Sequence, residues 1–152
     1  MKIAIGNDHA AVDLKNELVE FLRGMAIEVE NFGVDTEDSM DYPDIAAEVA
    51  RAVAAGDADL GVIACGTGIG VSIAANKVDG VRAALCSFQY HAKMAREHND
   101  ANVCCVGARV IGPELAKAIV EEFVTTPFSG VDRHAHRRDK IMALEGDRPN
   151  GQ

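Results

Sequence analysis

The sequence predicts a single α/β domain built on a five-stranded parallel sheet, and three observations predict it. Short apolar runs alternate with segments of helical period almost to the C-terminus. The chain is 152 residues long, which gives room for one core and not two. Hydrophobic residues make up 48% and charged residues 26%, close to the averages of globular domains, so collagen-like, low-complexity and disordered classes are excluded.

The strands are read at residues 2–6, 27–31, 60–65, 81–87 and 103–107, all short and nearly uniformly apolar, as strands covered on both faces must be. After the first, Val12, Leu14, Leu18, Val19 and Leu22 recur at helical spacing and predict a helix over 10–23. Pro43 suits a first helical turn and opens a second helix over 44–55. Residues 70–76, 89–97 and 113–124 read as three more, and 132–144 as a last, more polar helix. The loop 33–41 is the longest polar stretch and is expected to be the most mobile. One domain over 1–145 is expected, followed by a frayed tail over 146–152.

With 24 acidic against 15 basic residues, the formal charge of -9 has the wrong sign for nucleic acid. No window is long and apolar enough for a membrane span, and Met1-Lys2-Ile3-Ala4-Ile5-Gly6 lacks the features of a signal peptide, so a cytoplasmic protein without membrane partners is expected. Cys65, Cys86, Cys104 and Cys105 show no zinc spacing. They are expected to be reduced, with adjacent Cys104 and Cys105 pointing to opposite faces of their strand. No His, Asp, Glu or Cys cluster has metal-ligand spacing, so neither metal nor cofactor is expected.

In open α/β sheets ligands bind beyond the carboxyl ends of the strands, and the residues able to do chemistry fall there. Cys65-Gly66-Thr67-Gly68-Ile69-Gly70 follows the third strand, and its alternate glycines free backbone N–H groups before a helix. It is neither a Walker loop nor a dinucleotide fingerprint. It reads as an anion cradle or as a tight turn that binds nothing. Cys65 is a general base or nucleophile favoured as thiolate by those N–H groups, or simply core packing. Asp8 and His9, after the first strand, form an acid/base pair or a helix cap. His98-Asn99-Asp100 offers a second imidazole, and Arg109 follows the fifth strand. Arg133 and Arg137, four apart, share a helix face able to grip one phosphate, whereas Arg138 falls off that face and its loss is expected to matter little. The plainer reading of that cluster is a solvated helix paired with Asp132 and Asp139.

Gly-x-Asp-His-Ala near the N-terminus, Asp-Tyr-Pro at 41–43, Cys-Gly-Thr-Gly-Ile-Gly-x-Ser-Ile-Ala-Ala-Asn-Lys at 65–77 and His-Asn-Asp-x-Asn at 98–102 occur in order. So do Gly-x-Arg-Val-Ile-Gly at 107–112 and Arg-His-x-x-Arg at 133–137. With these motifs the chain resembles the ribose-5-phosphate isomerase B family, which includes the galactose-6-phosphate isomerase subunits. The resemblance implies a doubly wound, three-layer α/β/α Rossmann-like fold whose C-terminal helix extends to a partner subunit. It also implies a metal-free aldose-ketose isomerase of the pentose phosphate pathway, working as a homodimer or dimer of dimers with shared active sites.

By the same resemblance, Cys65 is the general base of an enediolate mechanism. Thr67 and the amides of Gly66, Gly68 and Gly70 stabilise the enediolate oxygen. Asp8 and His98 open the sugar ring, Asn99 holds sugar hydroxyls, and His9, Arg109, Arg133 and Arg137 grip the phosphate. Asn7 and Ala11 stand where many members carry other small residues. Two alternatives stay open: a hexose-6-phosphate isomerase on the same scaffold, and a non-catalytic phosphate- or nucleotide-binding module. An inactive partner chain is a third, against which the presence of Cys65, Thr67 and His98 argues.

Overall fold

The computed structural model describes residues 1–36 and 38–146. Strands β1 (Lys2–Asn7), β2 (Glu28–Asn31), β3 (Leu60–Cys65), β4 (Ala83–Leu85) and β5 (Val103–Gly107) form one sheet in the order β2-β1-β3-β5-β4. Every pairing is parallel, so each connection must cross a face of the sheet. The helices are α1 (Val12–Gly24), α2 (Tyr42–Ala55), α3 (Ile69–Ala75), α4 (Gln89–Asn99), α5 (Pro113–Thr125) and α6 (Asp132–Ala143).

Alternation along the strands splits the core in two. Ile3, Ile5, Val62, Ala64, Cys104 and Val106 pack under α1, α4 and α5. Ala4, Ile63, Cys65, Val103 and Cys105 pack under α2 and α3. The three-layer arrangement follows, and Cys104 and Cys105 do face opposite layers. Helix α6 lies outside the layers against α4 and turns back on its own chain, where Glu145 Oε1 accepts the Gly80 N–H at 2.9 Å.

The buried central strands have the apolar sequences expected of them, whereas the edge strands differ. β2 reads Glu-Val-Glu-Asn and is exposed at both ends. The fourth strand, expected over 81–87, shortens to three residues, because Val81 N–H bonds Val78 O in a turn (3.2 Å) and Ser87 N–H turns to His91 Nδ1 (3.4 Å). The first helix begins at Val12 and not at residue 10. Asp8 Oδ1 accepts the Ala10 N–H at 2.9 Å and holds His9–Ala11 in a separate 3-10 turn.

The start of the loop expected to be mobile is tied down. Asn7 is wholly buried, accepts the Val34 N–H at 3.1 Å, and donates to Val34 O at 3.2 Å and to Asp8 O at 2.8 Å. Lys15, its side chain 1% exposed, pairs with Asp35 of the same loop. The tail expected to fray lies, past Gly146, outside the described residues.

Strand β1 pairs with β3 in register Asn7↔Ala64, while the chain leaves β1 toward β2 and leaves β3 toward β4 and β5. The carboxyl ends of these two strands therefore form the switch point at which such sheets bind ligands.

Candidate active site

At that switch point lies a cleft of about 490 Å³. It gathers Asp8, His9, Cys65, Gly66, Thr67, Gly70 and Arg109, seven of the residues expected from the sequence. Cys65 ends β3 and is 5% exposed, and its Sγ accepts the Gly68 N–H at 3.1 Å. Gly68 makes this possible by taking the left-handed conformation at φ 77°, and a Cβ there would stand 2.5 Å from Leu85 Cδ1. The Gly68 amide is thus directed at sulfur and not, as expected, into the cleft. Thr67 is exposed at the cleft, and its Oγ1 accepts the Ile69 N–H at 3.3 Å. Helix α3 is only seven residues long, so the loop's own N–H groups count for more than any helix field.

The remaining thiols are core filler, as expected: Cys86, Cys104 and Cys105 are buried and free. A hydrogen bond with Cys86, then burial, pushes the Cys104 thiol well above its ordinary range, and burial does the same to Cys105.

Asp8 caps the 3-10 turn with Oδ1 and also lines the cleft. His9 Nδ1 is buried without a hydrogen-bond partner among the described residues. Such a nitrogen carries a desolvation cost that a polar atom arriving in the cleft would relieve. The Arg109 N–H donates to Gly66 O at 3.0 Å, and its guanidinium lies beside that glycine, where an added Cβ would be 3.5 Å from one terminal nitrogen.

Sequence reasoning missed Tyr42. Its ring forms one wall of the cleft, and a Cβ on Gly70 would come within 2.7 Å of it. The signal was the Asp-Tyr-Pro motif, which marks a helix start and says nothing about which loop the ring covers.

The other expected residues form a second group that does not line this cleft. His98 and Asn99 end α4, and Arg133 and Arg137 lie exposed on α6. The His98 and His134 rings meet at 4.2 Å between centroids. His134 is buried, with Nδ1 2.8 Å from Ser129 Oγ and Nε2 accepting from Arg133 Nε at 3.3 Å. Desolvation first, then His98, Arg133 and Arg137, lower its pKa from the ordinary value near 6.5. Arg137 has no hydrogen bond or ion pair among the described residues, so its guanidinium remains available. Arg138 is not the idle residue that its spacing suggested: it pairs with Asp100 at 3.3 Å and lies 5.0 Å over the Phe128 ring.

The Ribose/Galactose Isomerase family model matches residues 3–141. The chain is 46% identical to ribose-5-phosphate isomerase B of Escherichia coli, over 95% of this chain and 96% of that one. It is also 46% identical to the D-erythrulose-4-phosphate isomerase of Pectobacterium atrosepticum, over 86% of each. The structure of Clostridium thermocellum ribose-5-phosphate isomerase B superposes with a TM-score of 0.95 at 48% identity, covering 98% of this chain and 100% of that one. The match over residues 3–141, with identity and superposition over almost the whole chain, places it in the Ribose/Galactose Isomerase family.

Proposed function

We propose that the protein is an aldose-ketose isomerase that interconverts ribose 5-phosphate and ribulose 5-phosphate through an enediolate, with Cys65 as general base. The observation that carries the reading is the Cys65 sulfur at the carboxyl end of β3, held by the Gly68 N–H and facing a cleft with Thr67 and Arg109. The Gly68 N–H donates to that sulfur and fixes its place at the mouth of the loop, where a proton on a bound sugar carbon can be reached. Cys65 removes the proton from C2 of the open-chain aldose and returns it to C1, while the hydroxyl proton moves from O2 to O1. The negative charge that develops on oxygen meets Thr67 and the amides of Gly66 and Gly70.

Asp8 and His98 open the sugar ring, Asn99 holds hydroxyls, and His9, Arg109, Arg133 and Arg137 take the phosphate. The cleft around Cys65 holds only part of this set, which supports a site completed by the α4–α6 face of a second copy in a homodimer. Mixing Cys65→Ala with Arg137→Ala protein should then raise activity above that of either variant alone.

The direct test is a coupled assay on ribose 5-phosphate, D-erythrulose 4-phosphate, allose 6-phosphate and galactose 6-phosphate. Highest kcat/KM on ribose 5-phosphate supports the assignment, and absence of turnover on it refutes the assignment. A tetrose-phosphate preference is the second reading, favoured by the relative named for D-erythrulose 4-phosphate.

A further inference from the structure

Asp100 follows His98 and Asn99 directly and stands in the left-handed region at φ 48°, ψ 41°, where few residues other than glycine are found. Its own N–H closes α4 on Arg96 O at 3.1 Å. Its carboxylate collects guanidinium groups from three separate segments. Arg96 of α4 reaches Oδ1 at 3.2 Å, and Oδ2 takes both Arg82, ahead of β4, at 3.5 Å and Arg138 of α6 at 3.3 Å.

Further contacts fix each arginine. Arg82 Nε donates to Asp100 O at 2.8 Å, and Arg96 donates to Ala101 O at 2.6 Å and to Thr126 O at 3.2 Å. Arg138 also pairs with Asp139 at 2.8 Å. Burial, and the positive charges of Arg138 and Arg96, pull the Arg82 pKa below its ordinary value, and Asp100 opposes them. Without that carboxylate three partly buried cations would face one another across the junction of α4 and α6. Arg138 is the residue after Arg137, so a shift of α6 at this junction carries Arg133 and Arg137 with it.

We propose that Asp100 is a positioning residue: by joining Arg82, Arg96 and Arg138 it fixes α6 on α4 and so sets where Arg133 and Arg137 meet the phosphate of the substrate and where His98 and Asn99 meet its sugar. The inference rests on the assignment of phosphate to Arg133 and Arg137 made above.

The test uses the full chain, with inorganic phosphate as the titrant in calorimetry and ribose 5-phosphate as substrate. Asp100→Asn keeps the side-chain shape and a residue type that tolerates the left-handed region, but removes the charge. Phosphate affinity should weaken and KM rise, each about tenfold, the scale of a sub-ångström misplacement of binding groups. The rate at which iodoacetamide alkylates Cys65 should stay at the wild-type value, because that half of the site is built by other elements.

Arg138→Ala cuts only the α6 arm and should show the same split, so it decides the matter if Asp100→Asn fails to fold. The double variant should be no worse than Asp100→Asn alone. Wild-type phosphate affinity in both single variants would overturn the proposal, as would an equal change in Cys65 alkylation, which would mean general loosening. Arg137→Ala separates the two ideas. If it weakens phosphate and Asp100→Asn does not, the positioning role is wrong. If Arg137→Ala binds phosphate as the wild type does, the assignment of the phosphate is wrong and the positioning role falls with it.

Discussion

Replacing Gly107 with alanine should slow the reaction from a position that never meets the substrate. Gly107 ends β5 beside Cys65, and a Cβ placed on it would lie 2.6 Å from both the carbonyl carbon and the oxygen of Thr67 and 3.0 Å from its Cα. Ordinary van der Waals contact begins at 3.4 Å, so the loop must withdraw by about 0.8 Å, and all three atoms are main chain that cannot rotate away. Overpacking of this kind costs about 1–3 kcal/mol of stability. Because Thr67 is carried by the displaced segment, kcat should fall roughly ten- to a hundredfold, as geometric misplacements near an ångström do. Initial rates on ribose 5-phosphate, with thermal denaturation of the same samples, measure both effects. Gly24→Ala, at the end of α1 with nothing within 4 Å of the added carbon, serves as the control and should leave both unchanged or add slightly to stability. If Gly107→Ala lowers Tm but keeps full kcat, Thr67 does not act from the position assigned to it. If neither quantity moves, the close packing of Gly107 against the loop is not what fixes Thr67.

Cys65→Ala should abolish turnover and leave inorganic phosphate binding intact; turnover within about tenfold of the wild type would remove Cys65 from the mechanism. Peptide mapping after limited iodoacetamide treatment should find the label on Cys65 and not on Cys86, Cys104 or Cys105, which are buried away from the cleft, and ribose 5-phosphate should protect. Arg137→Ala should lower kcat/KM by roughly tenfold or more through a lost charge-assisted contact, and an unchanged value would return α6 to a merely solvated helix. The His134 pKa is lowered in the fold, so its neutral ring contributes stability that is fully present above the unfolded value near 6.5 and is lost as pH falls below it. Tm should therefore drop on acidification from pH 7.5 through that window, and less steeply in His134→Gln; parallel curves would show that another group is responsible.

What could be read from the sequence follows burial. Strands β3 and β5 are buried on both faces, so their apolar runs mark both ends, whereas β2 and β4 lie at the sheet edges and blur into their turns. Asp8, His9, Cys65 and Arg109 could be placed together because a parallel sheet delivers strand ends to one edge, whatever the side-chain details. Tyr42 and Gly107 could not, because their importance lies in a ring or a main chain approaching from another element. Asn7 stood out only as a departure from the residues many members carry, and its buried hydrogen bonds to Val34 show that it anchors a loop 27 residues further on. Asp100 was visible only as part of a motif, since nothing local announces that Arg82 and Arg138 converge on it.

The adjacent thiols of Cys104 and Cys105 give the protein a pair of internal reporters. One side chain lies in the layer under α1, α4 and α5, the other in the layer under α2 and α3, although their Cα atoms are consecutive on β5. Neither can be modified without an opening of the helices that cover it, so the rate at which each is trapped by a small alkylating agent under native conditions measures the breathing of one layer alone. Equal rates would mean that the sheet sheds both coverings in a single cooperative event. Unequal rates would show which face of the molecule opens first.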